Sequence, residues 1–264
     1  MNLNQILSIS ESEMVIQQQL GKGARSSVYQ VKLNEDIYAM KYLMQSSLQN
    51  KQLLKFEFEF MKSFEFQFNL TEQTYEQLSN IFNHEIPSLE ILNEIIHKTV
   101  PNPHDFKEKP TFRYLMNVFK QFNIKELTED QFKMLKLQLV GFAFVLHQNK
   151  LVYRDFSPYN TLLNDNMFAI IDFEEVVEIG SQIVYPATSR YSFNDQATIQ
   201  NDLLSLVIMF AERYKQLPWD GYKFKEDIKK IQQQCQKDNW GVFKNYDKTV
   251  DNILLLINSL ENNQ

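Results

Sequence analysis

Three polar residues follow two short apolar runs near the middle of the chain, and their types suit phosphoryl transfer. Asp155 and Asn160 come after the run at residues 151–153, and Asp172 follows the run at residues 167–171. Phosphoryl transfer needs an acidic group that orients the attacking hydroxyl and oxygen ligands for the magnesium ion on the phosphates. Asp155 suits the first role, and Asn160 and Asp172 suit the second. Two solvated loops would also hold such residues, but the spacing and the preceding apolar runs favour a functional site.

Residues that could contact phosphate lie closer to the start of the chain. Residues 14–33 are predicted to form a hairpin whose turn carries Gly21 and Gly23. Glycines allow backbone N–H groups to approach phosphate oxygens. On the glycines alone, an ordinary hairpin explains the pattern equally well. Lys41 ends the next predicted strand, over residues 37–41, where its ammonium group could hold phosphates.

A helix predicted over residues 49–64 carries the carboxylates that could pair with Lys41. Alternating Phe and Glu at residues 56–60 would also fit a strand, but the neighbouring leucines fit only a helical period. We therefore predict a helix. Glu57 is the expected partner of Lys41, and Glu59 is the alternative, on another face of the helix.

The next part of the chain, residues 67–110, carries the least information. An amphipathic helix is predicted at residues 88–97, and two prolines interrupt the chain at residues 101–103. Two interpretations of this segment stay open. It is either a surface elaboration or a docking surface through which the protein joins a larger assembly.

The second half of the chain is predicted to be mainly helical. Residues 112–119 indicate a buried strand, and Thr128 and Gln131 form a capping box that opens a helix of about five turns. That helix is expected to end at Asn149 in a left-handed cap. His147 is interpreted as a helix-terminal residue rather than a catalytic one. Further helices are expected at residues 201–211, 224–238 and 248–260, the first of them apolar almost all round.

Composition limits the class of protein. With 264 residues, 44% of them hydrophobic and 23% charged, the chain is expected to be a soluble globular protein of one large domain or two lobes. The net charge of −6 argues against a nucleic-acid partner. A single cysteine, Cys235, indicates a reducing compartment, and no secretory signal is recognised, so we expect a cytoplasmic location. The longest apolar run, residues 203–211, is too short for a membrane span, and the histidines lack metal-ligand spacing.

Taken together, these motifs resemble the protein kinase superfamily over nearly the whole chain. Arg154, Asp155 and Asn160 match the pattern H-R-D-x-x-x-x-N, Asp172 begins a segment similar to D-F-G, and Lys41 matches the lysine of V-A-I-K. The casein kinase 1 group is the nearest group by resemblance. The matching segments are Gln52-Leu53-Leu54 for Q-L-L-Y-E-Y, Thr188-Ser189-Arg190-Tyr191 for T-A-R-Y, residues 201–206 for D-D-L-E-S-L and residues 217–221 for L-P-W-Q-G.

The resemblance implies an α+β bilobal fold with ATP in the cleft. The β-rich N-lobe would span residues 1–116 with an insertion at 67–110, the hinge residues 117–123, and the helical C-lobe residues 124–264. The implied activity is that of a serine/threonine protein kinase that uses ATP and Mg²⁺ on a protein substrate.

The resemblance also assigns roles to individual residues. Asp155 would be the catalytic base, Lys41 would hold phosphates, and Glu57 would fix Lys41. Magnesium would be bound by Asn160 and Asp172. Gly21 and Gly23 would cover the nucleotide, and the adenine would lie among Val28, Ala39, Met116, Leu162 and Ile171. Asp202 would tie the catalytic loop to the central helix.

Casein kinase 1 enzymes hold a phosphate already present on the substrate in a basic pocket. Arg190 and Gly221 match two positions of that pocket, so the resemblance implies a substrate that is already phosphorylated. Arginine suits phosphate because its planar group donates two hydrogen bonds. An equally good alternative is that Arg190 pairs with a neighbouring acid and orders the loop.

Three departures from the kinase pattern leave the activity open. Ser26 replaces the third glycine, Ser157 the catalytic-loop lysine and Glu174 the glycine of D-F-G. Residues 155–160 are similar to D-L-S-E-Y-N of the RIO-type atypical kinases, which are enzymes without that lysine. Glu174 adds a negative charge near the metal ligands, where it would either recruit a cation or distort Asp172. The alternatives are an active kinase, a pseudokinase that serves as a binding or structural subunit, and an atypical ATPase-like member.

Overall fold

The computed structural model describes residues 14–45, 47–108, 113–164, 166–182, 190–193 and 196–261. They form two compact units that alternate along the chain. The first unit contains residues up to 65, 100–120 and 172–174, and the second contains 66–99, 121–171 and 175 onward. One division falls between residues 120 and 121, inside the segment predicted as the hinge.

The first unit is built on one antiparallel sheet. Its strands are β1 (Met14–Lys22), β2 (Ser26–Leu33), β3 (Asp36–Leu43), β4 (His104–Lys107) and β5 (Arg113–Asn117), in the order β1-β2-β3-β5-β4. The predicted hairpin and the strand ending near Lys41 are confirmed. Of the strand predicted at residues 112–119, the structure places 113–117 in β5, and Phe112 lies outside the described residues.

The two faces of this sheet differ because side chains alternate along each strand. One face carries an apolar cluster of Val31, Met40, Tyr42 and Leu115. The first helix, α1 (Leu48–Gln67), confirms the helical interpretation of the Phe-Glu alternation. Its buried side chains recur at helical spacing, namely Asn50, Leu54, Glu57, Phe60, Met61 and Phe64.

The second unit is mainly helical. Its helices are α2 (Glu72–Ile81), α3 (Leu89–His97), α4 (Glu129–Gln148), α5 (Ile199–Ala211), α6 (Lys225–Lys237) and α7 (Lys248–Glu261). Two small antiparallel pairs accompany them, β6 (Leu151–Val152) with β9 (Val177–Glu178), and β7 (Thr161–Asn164) with β8 (Met167–Ile170). From Asn201 to its end, every residue of α5 is buried, as its apolar sequence predicts. None of the helices that the structure describes has the length and hydrophobicity of a membrane-spanning segment.

Both ends of α4 were predicted, and one prediction is wrong. The capping box forms, because the Thr128 hydroxyl accepts the N–H of Gln131 while the Gln131 side chain accepts the N–H of Thr128. At the other end, Asn149 has a φ of −92° and is not left-handed. The left-handed residue is Lys150, with a φ of 61°. The turn out of the helix therefore comes one residue later than the preference of asparagine suggests.

The insertion belongs to the second unit, which corrects the predicted domain limits. Residues 66–99 were assigned to the N-lobe, but α2 and α3 pack on α4, where Leu78, Leu92 and Ile96 are fully buried. A Cβ atom added to Gly141 of α4 would lie 2.7 Å from Ile96 Cδ1, so the glycine permits this close approach. Burial of the apolar faces of two helices explains the placement.

A buried amide fixes the end of this insertion. Gln138 of α4 donates from Nε2 to Thr99 Oγ1 and to the carbonyl oxygen of Phe168, each at 3.0 Å. Its Oε1 accepts the N–H of Phe168 at 2.8 Å. These bonds satisfy the polar atoms of a fully buried side chain, so Gln138 joins the insertion to β8 within the second unit.

Asp247 caps α7 and provides a test of stability. Its Oδ1 accepts the N–H groups of Thr249 and Val250, and its Oδ2 accepts Lys136 Nζ at 2.5 Å and the Tyr214 hydroxyl at 3.0 Å. Burial opposes ionisation of Asp247, but the bond to Lys136 outweighs burial and lowers the pKa of Asp247. Asp247→Asn should lower the free energy of unfolding by about 1–3 kcal/mol at pH 7.

The same carboxylate gives that loss a pH dependence. A carboxylate whose pKa is lowered by folding stabilises the protein above its unfolded pKa of about 3.9, and the contribution disappears as the pH falls below that value. Urea unfolding between pH 3 and pH 7 should therefore show the difference between wild type and Asp247→Asn shrinking toward the acid end. Lys136→Met should flatten the pH dependence. An equal difference at every pH would contradict the assignment.

Candidate active site

The centre of the site in the first unit is a buried ion pair between β3 and α1. Lys41 Nζ lies 2.7 Å from Glu57 Oε2 and 2.9 Å from Oε1, and both side chains are almost fully buried. Glu59 instead faces solvent 3.9 Å from Lys55, one turn away on the same helix. The structure thus pairs Lys41 with Glu57, the expected residue, rather than with the alternative.

Two more carboxylates surround the same lysine. Asp172 Oδ1 lies 3.1 Å from Lys41 Nζ, and Glu174 Oε1 lies 3.4 Å from it. The Phe173 N–H donates to Glu57 Oε1 at 3.1 Å, and the buried Phe173 ring packs 5.1 Å from the Phe60 ring. These contacts group residues 172–174 with the first unit, although the predicted C-lobe included them.

The backbone at Asp172 adopts an unusual conformation. Its φ of 67° lies in the left-handed region, which costs a residue with a side chain more than it costs glycine. The Phe173 contacts on one side of Asp172 hold it there. The carboxylate therefore points at Lys41 while its side chain keeps 45% of its surface exposed.

Charge is unbalanced around Lys41. Burial opposes its charged form, but Asp172, Glu57 and Glu174 outweigh burial and raise the pKa of Lys41 well above its usual value. Burial, together with Asp172 and Glu174, raises the pKa of Glu57 to about 7, although Lys41 opposes the rise. Carboxylate oxygens of Glu57, Asp172 and Glu174 lie within 4.8 Å of one another. Such an excess of carboxylate oxygens beside an exposed Asp172 suits a hard cation such as Mg²⁺.

One face of the sheet collects the residues expected at the nucleotide. Val28 pairs with Lys41, and Ala39 pairs with Met116. Paired residues in neighbouring strands point to the same side, and so do residues two apart in one strand. All four side chains therefore lie on the face opposite the apolar cluster.

The two glycines occupy different places in the hairpin. Gly21 lies in β1 opposite Val28, so the prediction that the turn carries it is wrong. The register of β1 against β2 shifts between Gln19 and Gly21, and the turn lies at residues 23–25. Gly23 begins this turn, where its N–H donates to the carbonyl oxygen of Ser26 at 2.9 Å.

The catalytic-loop residues lie together in the second unit. Asn160 Nδ2 donates to Asp155 Oδ2 at 2.6 Å and to the Asp155 carbonyl oxygen at 3.2 Å. Because its nitrogen is directed at Asp155, the Asn160 amide presents its oxygen elsewhere, as a magnesium ligand requires. Ile171 donates its N–H to the Asn160 carbonyl oxygen at 2.9 Å, and Leu162 pairs with Ala169 between β7 and β8.

Asp202 organises the start of this loop. Its Oδ2 accepts the N–H of Tyr153 at 2.8 Å, and its Oδ1 accepts the N–H of Arg154 at 2.7 Å. His147 Nε2 lies 3.1 Å from Asp202 Oδ2. Arg154 has a φ of 73°, and its side chain reaches Glu175 at 3.1 Å. Asp202 of α5 thus holds the backbone at the start of the loop, and His147 lies beside it.

The chain matches one known protein family over most of its length. The family model described as protein kinase domain matches residues 14–263. The chain belongs to the protein kinase family. Its fold is similar to that of vaccinia related kinase 3, with 12% identity and a TM-score of 0.59 over 94% of this chain and 88% of that chain. The kinase domain of PF14_0431 is also similar, with 13% identity and a TM-score of 0.59 over 83% of this chain and 69% of that chain. No curated protein sequence matches.

Membership in the family confirms the expected fold and bears on the expected cofactors and substrate. The kinase fold has a β-rich unit with five strands and a helical unit, so the predicted α+β bilobal fold is confirmed. A protein kinase domain generally implies the use of ATP and Mg²⁺ and a protein substrate. At these identities the similar structures inform the fold alone.

The kinase departs from its family at a fully buried serine. Ser157 has no exposed surface, and its hydroxyl accepts the N–H of Asn160 at 3.3 Å. Its carbonyl oxygen accepts the Thr161 hydroxyl at 2.9 Å. Ser157 therefore stabilises the turn between Asp155 and Asn160 from a fully buried position.

Sequence reasoning missed two residues of this kinase. Tyr153 donates its hydroxyl to the Ile171 carbonyl oxygen at 2.5 Å and packs on Phe156, and its position directly before Arg154-Asp155 could have drawn attention to it. Arg25 donates from Nη1 to Glu174 Oε2 at 2.7 Å. These two residues are 149 positions apart, so no local pattern connects them.

Arg190, which was expected to line an anion pocket, contacts two carboxylates in the structure. Arg190 Nη2 lies 2.9 Å from Glu212 Oε1, and Arg190 Nη1 also contacts Asp220. Glu212 accepts the Tyr191 hydroxyl at 2.7 Å, and Gly221 adopts a φ of 93° beside Asp220. Two carboxylates thus engage Arg190, which favours the alternative that it orders the loop. Thr188, Ser189 and Asn194 lie outside the described residues.

Proposed function

We propose that this protein is an active serine/threonine kinase of casein kinase 1-like type, which transfers the γ-phosphoryl group of Mg·ATP to a protein hydroxyl. The observation that carries the proposal is the formed Lys41–Glu57 ion pair with Asp172 beside it. A buried lysine held by a glutamate is preorganised for phosphate, and such preorganisation is the main source of catalysis in phosphoryl transfer.

Each role in the proposed reaction has a residue whose surroundings suit it. Asp155 accepts the proton of the substrate hydroxyl, and the bonds from Asn160 hold its carboxylate in one orientation. Lys41 holds phosphate oxygens, and Glu57 keeps Lys41 extended from β3. Val28, Ala39 and Met116 form an apolar surface beside Lys41 for the adenine, and the kinase resemblance assigns Leu162 and Ile171 to the same base. Magnesium, with Asp172 and Asn160 as ligands, would offset charge on the phosphates.

A pseudokinase that binds nucleotide or partners without catalysis is the second candidate. Two features favour it, the buried Ser157 in place of a lysine and the Glu174 carboxylate 3.4 Å from Lys41. Such a protein would keep the Lys41–Glu57 pair for binding alone. Phosphorylation of a generic protein substrate, or of the kinase itself, separates the two candidates because a pseudokinase gives no transfer at any enzyme concentration.

Magnesium-dependent ATP binding is the first test of the proposal. ATP at 100 times its Kd should stabilise the protein by about 2.7 kcal/mol, seen as a raised Tm. Lys41→Met should abolish most of that shift, because the lysine is the buried cation of the site. Lys32→Met is the matched control, since Lys32 pairs with the exposed Glu35 at the surface. A Tm that ATP and Mg²⁺ leave unchanged in wild type would refute nucleotide binding.

A further inference from the structure

A salt bridge links the glycine-containing turn to the segment that follows Asp172. Arg25 lies in the turn between β1 and β2, and its carbonyl oxygen accepts the N–H of Met44 at 2.9 Å. Its Nη1 lies 2.7 Å from Glu174 Oε2, and the Glu174 side chain is only 7% exposed. The turn is therefore anchored by its backbone, and its cation is directed inward rather than into solvent.

The same carboxylate bridges two cations. Glu174 uses Oε2 for Arg25 and Oε1 for Lys41, at 2.7 Å and 3.4 Å. Lys41 is the proposed phosphate-binding lysine, and Arg25 belongs to the turn that is expected to cover phosphates. Carboxylate and phosphate oxygens compete for the same donors, and the arginine fork fits either of them. Glu174 thus occupies donors that a nucleotide would use.

The charge around this carboxylate is unfavourable for a polyanion. With all three carboxyl groups ionised, Glu57, Asp172 and Glu174 contribute three negative charges against two positive ones from Lys41 and Arg25. Glu57 is held in place by the N–H of Phe173, and Asp172 is held beside Lys41. Glu174 is the acid whose departure would turn this cluster from net negative to neutral.

We propose that Arg25 is a phosphate-binding residue of the nucleotide site, and that Glu174 is an internal anion which holds Arg25 and Lys41 until phosphate replaces it. This inference rests on the proposed function. Arg25 supplies a further positive charge in a kinase whose catalytic loop has Ser157 in place of a lysine. Glu174, the departure from the family that is hardest to explain, then acts as a competitor for phosphate.

The proposal predicts opposite effects for the two members of the salt bridge. Arg25→Gln should weaken Mg·ATP binding by about 10-fold, and Glu174→Gln should tighten it by about 10-fold, as expected for one charge acting on a polyanion. Both effects should be smaller for Mg·ADP and absent for adenosine, because adenosine has no phosphate. The affinity of Arg25→Lys for Mg·ATP should lie between those of wild type and Arg25→Gln, since lysine keeps the charge but lacks the planar guanidinium group.

Isothermal titration with Mg·ATP, Mg·ADP and adenosine measures these affinities. The controls are Lys32→Gln, which removes a cation paired at the surface, and Glu35→Gln, which removes its exposed carboxylate partner. Neither should change the Kd for Mg·ATP by more than about twofold, because exposed charges are screened. A thermal melt without nucleotide confirms that each variant is folded, and Arg25→Lys replaces Arg25→Gln if the latter is not.

The outcomes separate this inference from the proposed function. If Lys41→Met weakens Mg·ATP binding but Arg25→Gln does not, Arg25 only anchors the turn, and the inference is overturned while the proposed function stands. If Glu174→Gln weakens binding in parallel with Arg25→Gln, Glu174 positions Arg25 instead of competing with phosphate, which also overturns it. If wild type binds no nucleotide, the proposed function fails and the inference with it.

Discussion

Asp155→Asn should lower the kcat of phosphoryl transfer by about 10²–10⁴-fold while leaving the Kd for Mg·ATP within about twofold. An amide at this position keeps the size of the side chain and its place beside Asn160. It cannot accept the proton of a substrate hydroxyl, which is the role proposed for Asp155. The Asp155 carboxylate lies in the second unit, whereas the Lys41 cluster lies in the first. The substitution therefore leaves Lys41, the cation proposed to bind the nucleotide, unchanged.

Steady-state kinetics with a protein substrate and titration with Mg·ATP test both halves of this prediction. Asp130→Asn is the control, because Asp130 is an exposed acid in the first turn of α4. Unchanged kcat in Asp155→Asn would exclude Asp155 as the base. A parallel loss of nucleotide affinity would mean that the substitution disturbs the loop rather than the chemistry.

Ser157→Lys should destabilise the protein by about 4–7 kcal/mol rather than restore activity. A buried lysine has its pKa lowered by about 3–5 units, and each unit corresponds to about 1.36 kcal/mol. Ser157 has no exposed surface, and its hydroxyl accepts the N–H of Asn160. The lysine would lose that hydrogen bond and bring a charge into the turn. Introducing the lysine that the kinase pattern has at this position would therefore destabilise the loop that carries Asp155 and Asn160.

The free energy of unfolding from urea titration measures this effect. Tyr159→Lys is the matched control, because Tyr159 lies two residues away in the same loop and is 61% exposed. It should cost less than about 1 kcal/mol, since exposed substitutions usually have small effects. If Ser157→Lys were as stable as wild type and faster in phosphoryl transfer, the loop would have space for the lysine and the burial argument would be wrong.

Local patterns in the sequence were sufficient for most elements and for part of the site. The fully buried α5 was predicted because apolar residues surround it, and α1 because its leucines repeat at helical spacing. The pairing of Lys41 with Glu57 followed from motif positions that many kinases share. In each case the determining residues are close in sequence or belong to a known motif, so one sequence carries the information.

Contacts between distant residues could not be predicted in the same way. The Arg25–Glu174 salt bridge depends on a turn and a segment far apart in the chain, and the two carboxylates on Arg190 come from separate elements. The left-handed residue after α4 is Lys150, although asparagine adopts this conformation more readily and Asn149 precedes it. The direction that the chain takes into β6 selects Lys150. In each example tertiary packing selects among conformations that the local sequence permits.

The alternation of the two units along the chain has a consequence for synthesis on the ribosome. Residues 66–99 emerge before α4, so the apolar faces around Leu78, Leu92 and Ile96 have no packing surface yet. At 5–20 residues per second, the stretch from residue 98 to residue 148 takes about 3–10 s to appear. Exposed apolar faces of this kind are the substrates of chaperones and the sites of aggregation. A nascent chain arrested near residue 120 should therefore bind a chaperone, and one arrested well beyond residue 148 should release it.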